Sequence, residues 1–510
     1  MFNPVSTYRI QFNKDFTFRQ LSEIIPYLHK LGVHTIYASP IFEAVPGSVH
    51  GYDVVNPHRI NPEIGTEEEL RNVSRKLHEH GMSWVQDIVP NHMAFHPGNL
   101  WLMDVLEKGQ HSMYASFFDL AWTSDLFQGK LSVPFLGGSL EDVLFNKEIQ
   151  IEYHQQRLVF RYYENTYPLH PRSYAYILQD PDAPESIQNL VRQIGELHQL
   201  EDNLTYAMRW HELVLQFQAL MNSNVREYID GCLQKANDSD DQLKHIASQQ
   251  VYRLKHWQSA DRQITFRRFF TITDLIGLNM QDDKVFEHYH RLIRDLTHEG
   301  IFQGLRVDHV DGLYNPTQYV QKLRTLVGEE TYIVVEKILQ VDEKLPDWPV
   351  QGTTGYDFLA YVNNVLTPSS SEEKLSAFYA DLEEDGDPQE KIWRKKSHIL
   401  YRHMGGELNN LFRLLLELNL IDTETLNHLD RESLKIVLAE FLIRCPVYRY
   451  YKDSMPLEEQ EHGAIWDILH NIRQIRPGLE AAADALADVL LVKPQKNDPE
   501  YNKRALQFYM

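Results

Sequence analysis

Residues 304–313 read GLRVDHVDGL, a short apolar run carrying Arg306 and Asp308 two residues apart, with Asp311 close behind. If the run is a strand, Arg306 and Asp308 project from one face. A guanidinium beside a carboxylate favours the ionised acid, so Asp308 is expected to have a depressed pKa and to be a competent nucleophile at neutral pH. A second acid, Glu336, ends the apolar run YIVV, whose surroundings are expected to raise its pKa towards that of a general acid. Two such carboxyl groups on neighbouring strand ends, roughly 5 Å apart, would suit a retaining glycosidase or transglycosylase. Each feature also has an ordinary reading. Gly-x-Arg-x-Asp is short enough for a structural ion pair, and Glu336–Lys337 for a strand-end charge pair. DIVPNH at 87–92 could be a turn whose Asn91 and His92 bond backbone, and HGYD at 50–53 a surface turn. What favours chemistry is that all four occur in order, each after a predicted strand.

The elements that must position these groups repeat one unit: a helical apolar pattern, a glycine, then a β-branched run. Leu21, Ile24, Ile25, Leu28 and Leu31 share a helical face, followed by Gly32 and VHTIYASP. Thr66 and Glu69 form a predicted capping box that opens a helix bearing Leu70, Val73 and Leu77; Gly81 and SWVQDIVPNH come next. The same order leads through Gly300 to IFQGLRVDH and through Gly328 to TYIVVEKIL. Glycine takes the left-handed cap that stops a helix, and the β-branched run enters a parallel sheet. No Gly-x-Gly-x-x-Gly marks a dinucleotide-binding turn. Instead the polar candidates stand at the C-terminal ends of several strands, as in a barrel. The expected fold is therefore α/β: a (β/α)8-type, TIM-like barrel, incomplete, with inserted loop/β and helical subdomains. We place the first barrel half at 1–100, an aromatic-rich loop/β insertion at 101–180 and a helical insertion at 181–260. Barrel continuation follows at 261–385 and a helical segment at 386–510.

Composition narrows the ligand class. A net charge of -22 without a basic block argues against nucleic acid and suits a neutral substrate. Two cysteines exclude a disulfide framework. There is no predicted membrane span and no signal peptide at MFNPVSTYRIQF, so the cytoplasm is the expected compartment. No metal or cofactor is expected. His78/His80 and His288/His290 lie in charged, helix-like runs and are expected to be solvated.

DIVPNH, GLRVD and VVEKI resemble the first three conserved segments of the α-amylase superfamily, and HGYD its sugar-stacking turn. The longer strings YASPIFEAVPGSVHGYDVVNPHRINPEIG, FRRFFTITDLIGLN, RVDHVDGLYNP and QGTTGYDFL resemble the maltooligosyltrehalose synthase family within it. The resemblance implies an isomerase acting on maltooligosaccharides, α-1,4-glucan chains. Such an enzyme converts the reducing-end α-1,4 linkage to an α,α-1,1 linkage by intramolecular transglycosylation with retention, a step in trehalose biosynthesis. It implies Asp308 as nucleophile, Glu336 as acid then base, and Arg306 as the group that orients Asp308. It further implies that His50, Tyr52, Asn91 and His92 hold the sugar, with Asp53 and Asp87 positioning their neighbours. Isomerisation requires excluded water. Trp101, Tyr114, Phe117, Phe118 and Trp122 are candidates for that enclosure, or for a mini-core of the insertion. Two departures stand out. Asp311 and Gly312 occupy the place of a Lys-His pair on the acceptor side, and no His-Asp dipeptide of the fourth segment occurs. The chain alone is therefore expected to be inactive or weak, with a separate C-terminal fragment completing the barrel. The rival expectations are an α-amylase or α-1,4-glucanotransferase, and a non-catalytic glucan-binding or assembly subunit.

Overall fold

The protein is described by a computed structural model covering residues 2–122, 129–340, 342–382, 387–491 and 498–510. Six parallel strands form its central sheet, in the spatial order Thr7–Ile10, Thr35–Ala38, Ser83–Ile88, Gly304–Val307, Tyr332–Val335 and Gly352–Thr353. Every neighbouring pair is parallel, and spatial order follows chain order. This is the curved sheet of a TIM-like barrel. Among the described residues its two outer strands each pair on one side only.

The helix–glycine–strand units form as the pattern requires. Phe18–Leu31 buries Leu21, Ile25 and Leu28 and stops at Gly32, whose φ of 88° is accessible to glycine without strain. Leu31, at the last position of that helix, is exposed instead. The Glu67–Glu79 helix opens with the reciprocal Thr66/Glu69 capping box.

Between the third and fourth strands the chain makes a long excursion. It contains the antiparallel sheet Ile149–His154, Arg157–Tyr162, Asn165–Pro168 and a set of helices from Pro171 to Gln249. The first of these helices begins at 171, inside the stretch expected to be loop and strand. The excursion does not fold apart from the barrel: one continuous apolar core runs from Ile10 through Trp210 to Trp348. Its return leg matters most for the site. Strand Ile272–Gly277 pairs antiparallel with His92–Ala94, carrying residues 267–275 back to the C-terminal edge of the sheet.

A second, separate core joins residues from Leu408 to Phe508 in the helical segment. Between the two cores, helices Tyr356–Leu366 and Glu372–Leu382 bury none of their residues and expose Phe358, Tyr361, Val365 and Phe378. Among the described residues no helix is long and apolar enough to cross a membrane.

Candidate active site

Parallel register assembles the site. Arg306 stands opposite Asp87 on one neighbouring strand and Val334 on the other. The ladder continues past the strand ends, with Asp308 N–H donating to Ile88 O and Glu336 N–H to Val307 O, each at 2.9 Å. Arg306 is thereby central to three acids. Its Nη1 donates to Asp87 Oδ1 (2.8 Å) and Oδ2 (3.0 Å) and to Asp308 Oδ1 (2.6 Å). Its Nη2 lies 2.9 Å from Glu336 Oε1. The two terminal nitrogens of one guanidinium thus hold Asp308 and Glu336 side by side.

One cation among three acids leaves excess negative charge. Burial pushes Asp308 up to about 7; Arg306 pulls against that rise, and Asp87 and Glu336 add to it. Burial also raises Asp87, which accepts hydrogen bonds from the Tyr52 (2.6 Å) and Tyr37 (2.9 Å) hydroxyls. Asp308 and Asp87 are both moved towards their protonated forms by this burial. This corrects the expectation of a depressed Asp308: burial outweighs an arginine that it shares with two other acids. Nor is Glu336 set among apolar groups, because Arg306 reaches Oε1 and the His309 backbone N–H donates to Oε2 at 2.9 Å.

The acids open into a cavity of about 620 Å³, walled by Tyr37, His50, Tyr52, His92, Thr354 and the apolar Phe269, Ile272 and Leu275. Burial lowers the His92 pKa to about 3, so the ring is neutral. His92 Nε2 and Thr354 Oγ1 are buried without a hydrogen-bond partner among the described residues. Polar residues such as His50 and Tyr52 beside the apolar faces of Phe269 and Leu275 give the mixed wall of a small-molecule pocket. A larger, mostly apolar cavity of about 770 Å³ lies against the helical segment but brings no pair of carboxyl groups together.

Comparison with known proteins follows the same lines. Residues 17–142 match the α-amylase catalytic-domain family. A maltooligosyl trehalose synthase of Mycobacterium tuberculosis is 33% identical over 423 residues, 81% of this chain and 45% of that protein. The structure of maltooligosyltrehalose synthase from Arthrobacter ramosus superposes with a TM-score of 0.74 at 28% identity, covering 99% of this chain and 54% of that one. A maltooligosyl trehalose synthase structure from Sulfolobus tokodaii gives 0.68 at 26% identity, covering 100% and 54%. The chain belongs to the maltooligosyl trehalose synthase family. It spans about half the length of these relatives.

Of the residues singled out from sequence, Asp308, Glu336, Arg306, His50, Tyr52 and His92 converge on the cavity. Asp87 lies fully buried beneath it. Asp53 sits one layer back, holding the Ser48 hydroxyl and facing His50. Asn91 does not face the cavity as expected of a sugar ligand; it is buried, accepting from Arg267 Nη1 at 2.6 Å and contacting the His92 ring. The aromatic segment is not an enclosure either. Trp101, Phe117 and Phe118 are buried, and Trp101 packs with Tyr114, Phe117, His58 and His288 in the main core. His290, expected in solvent, is fully buried between Phe286 O and the Tyr319 hydroxyl. Among the described residues no group of His, Cys, Asp or Glu is arranged to hold a metal.

Sequence reasoning assigned no role to Tyr37, Arg9, Phe269 or Thr354. Tyr37 has a legible signal, a polar-tipped residue near the C-terminal end of a buried strand. Phe269, whose ring lies 4.7 Å from that of His92, has none, because only the return leg brings it there.

Proposed function

We propose that this chain carries the double-displacement centre of a glucan isomerase acting on maltooligosaccharides. Asp308 attacks the anomeric carbon of the sugar next to the reducing-end glucose, and Glu336 passes its proton to the departing O4. The released glucose stays in place and turns. Glu336 then takes the proton from its anomeric hydroxyl, which attacks the glycosyl-enzyme, releases Asp308 and forms the α,α-1,1 linkage. Two inversions give retention. Arg306 orients Asp308, while Tyr52 and His92 meet the sugar. His50 holds the Tyr52 backbone, and Asp53, Asp87 and Asn91 support these groups from behind. The carrying observation is the single guanidinium that binds Asp87, Asp308 and Glu336 at adjacent strand ends.

The cavity's mixture of polar and apolar wall residues beside the acids supports a sugar there. The likeness to the synthases favours isomerisation over hydrolysis. Turnover is proposed to require pairing of the Gly352–Thr353 edge and a third acid, neither of which the described residues provide. Among the described residues that edge pairs on one side only, and this and the exposed apolar residues of 356–382 support the requirement.

Maltopentaose, incubated with the chain alone and with the C-terminal half of a family member added, tests both statements. Isomerisation predicts loss of reducing power without chain shortening, and only in the complemented mixture. A gain of reducing power means hydrolysis, and redistributed lengths mean a glucanotransferase.

A further inference from the structure

The Glu336 carboxyl is held by an ion pair with Arg306 and a hydrogen bond from the backbone N–H of His309. His309 has a φ of 44°, the left-handed region, which costs a residue with a side chain roughly 1 kcal/mol or more. Something must therefore hold the turn after Asp308 in this shape. In front, Gly312 has no room for a side chain: a Cβ there would meet the His309 ring at 2.3 Å and Asn91 Oδ1 at 2.5 Å.

Behind the turn the helical segment takes over. The Arg449 guanidinium donates to the carbonyls of Asp311 (2.9 Å), Leu313 (2.5 Å) and Tyr314 (3.1 Å). The Tyr451 hydroxyl donates to Asp311. Lys337 Nζ lies 3.2 Å from Asp311 and 2.7 Å from Glu343, and 5.3 Å from the Tyr451 ring. Lys337 has no exposed surface at all. Desolvating an ammonium and two carboxylates is costly, and apolar packing would hold a merely structural contact at least as well. Lys337 also follows Glu336 directly, so the strand sends the acid to the cavity and the cation to this cluster.

We infer that Lys337, Tyr451 and Arg449 are positioning residues that set the Glu336 carboxyl through the Asp311–Tyr314 turn, making the helical segment part of the catalytic apparatus. This rests on the proposed roles of Asp308 and Glu336. Asp311 is thereby turned away from the acceptor sugar rather than towards it.

Tyr451→Phe, Lys337→Met and the conservative Lys337→Arg test the inference in two arms. Hydrogen exchange on the 510-residue chain needs no turnover. The His309 amide should exchange at least ~10-fold faster in Tyr451→Phe and Lys337→Met, with the global melting temperature within a few degrees of wild type and partial restoration in Lys337→Arg. Unchanged exchange in both variants overturns the inference. In turning-over enzyme, both variants should lower kcat ~10-fold, leave KM within about twofold and move one limb of the pH–rate profile. An unchanged kcat and profile, beside an inactive Asp308→Asn control, also overturns it. If Asp308→Asn keeps full turnover, the functional reading itself has failed.

Discussion

The molecule holds two buried charge clusters a few residues apart, and they differ in kind. Around Arg306, one cation serves three acids, and the cluster opens into a cavity through Glu336, whose side chain is about a quarter exposed. Around Lys337, one cation serves Asp311 and Glu343 with a tyrosine hydroxyl added, and the ammonium is sealed from solvent. The first cluster keeps excess charge where a substrate and a proton can reach it. The second holds no cavity-facing acid pair and braces the turn between the two strand ends. Buried ions near an active site thus divide between chemistry and placement, and access to the cavity separates the two.

The sharpest way to break this comparison is Arg306→Met. Removing the shared cation leaves two buried acids and the half-buried Glu336 uncompensated, and turnover should fall by ~100-fold or more, with a loss of about 3 kcal/mol in stability by urea unfolding. A variant with near-normal turnover would show that the acids do not depend on their common arginine. Next in size, Trp101→Ala should destabilise the chain by ~3 kcal/mol, as expected for a core aromatic, while turnover per folded molecule stays within about twofold. A collapse of isomerisation into hydrolysis would instead return the aromatic segment to the site.

Asp308→Asn distinguishes the clusters by pH. The folded pKa of Asp308 is raised from 3.8 to about 7, so its contribution to stability is fully present below about 4 and is lost as pH rises through about 7. Replacing it should stabilise the chain relative to wild type by ~2 kcal/mol at pH 8, after allowance for coupling to Glu336, and by much less at pH 4. Equal melting shifts at both pH values would mean that the Arg306 cluster holds no extra proton. The smallest effect is expected from Thr354→Val, which removes an unpartnered hydroxyl. Urea unfolding should show stability unchanged or raised by up to ~1 kcal/mol, with maltooligosaccharide binding within about twofold of wild type.

Much of the site was legible because its groups stand at strand ends, where helix-stopping glycines and β-branched runs announce the element. Asp87, His92, Arg306, Asp308 and Glu336 all carry that local signal. Asn91 was misplaced because adjacent residues on a chain point to different sides, and nothing in DIVPNH says which one faces the cavity. The Trp101 segment was ambiguous for a related reason. Aromatic residues enclose a ligand or fill a core with the same composition, and only packing against His58 and His288, far apart in sequence, separates the cases.

The sequence by itself determined the parallel strands, the order of the acids along them and the family. Those follow from local periodicity and from motifs a few residues long. Only the tertiary structure decided how charge is shared. Pairing residue 306 with residue 87 is a register fact, and it turns an expected one-to-one ion pair into one arginine among three acids. Electrostatic free energy depends on distance and burial, neither of which a linear spacing contains.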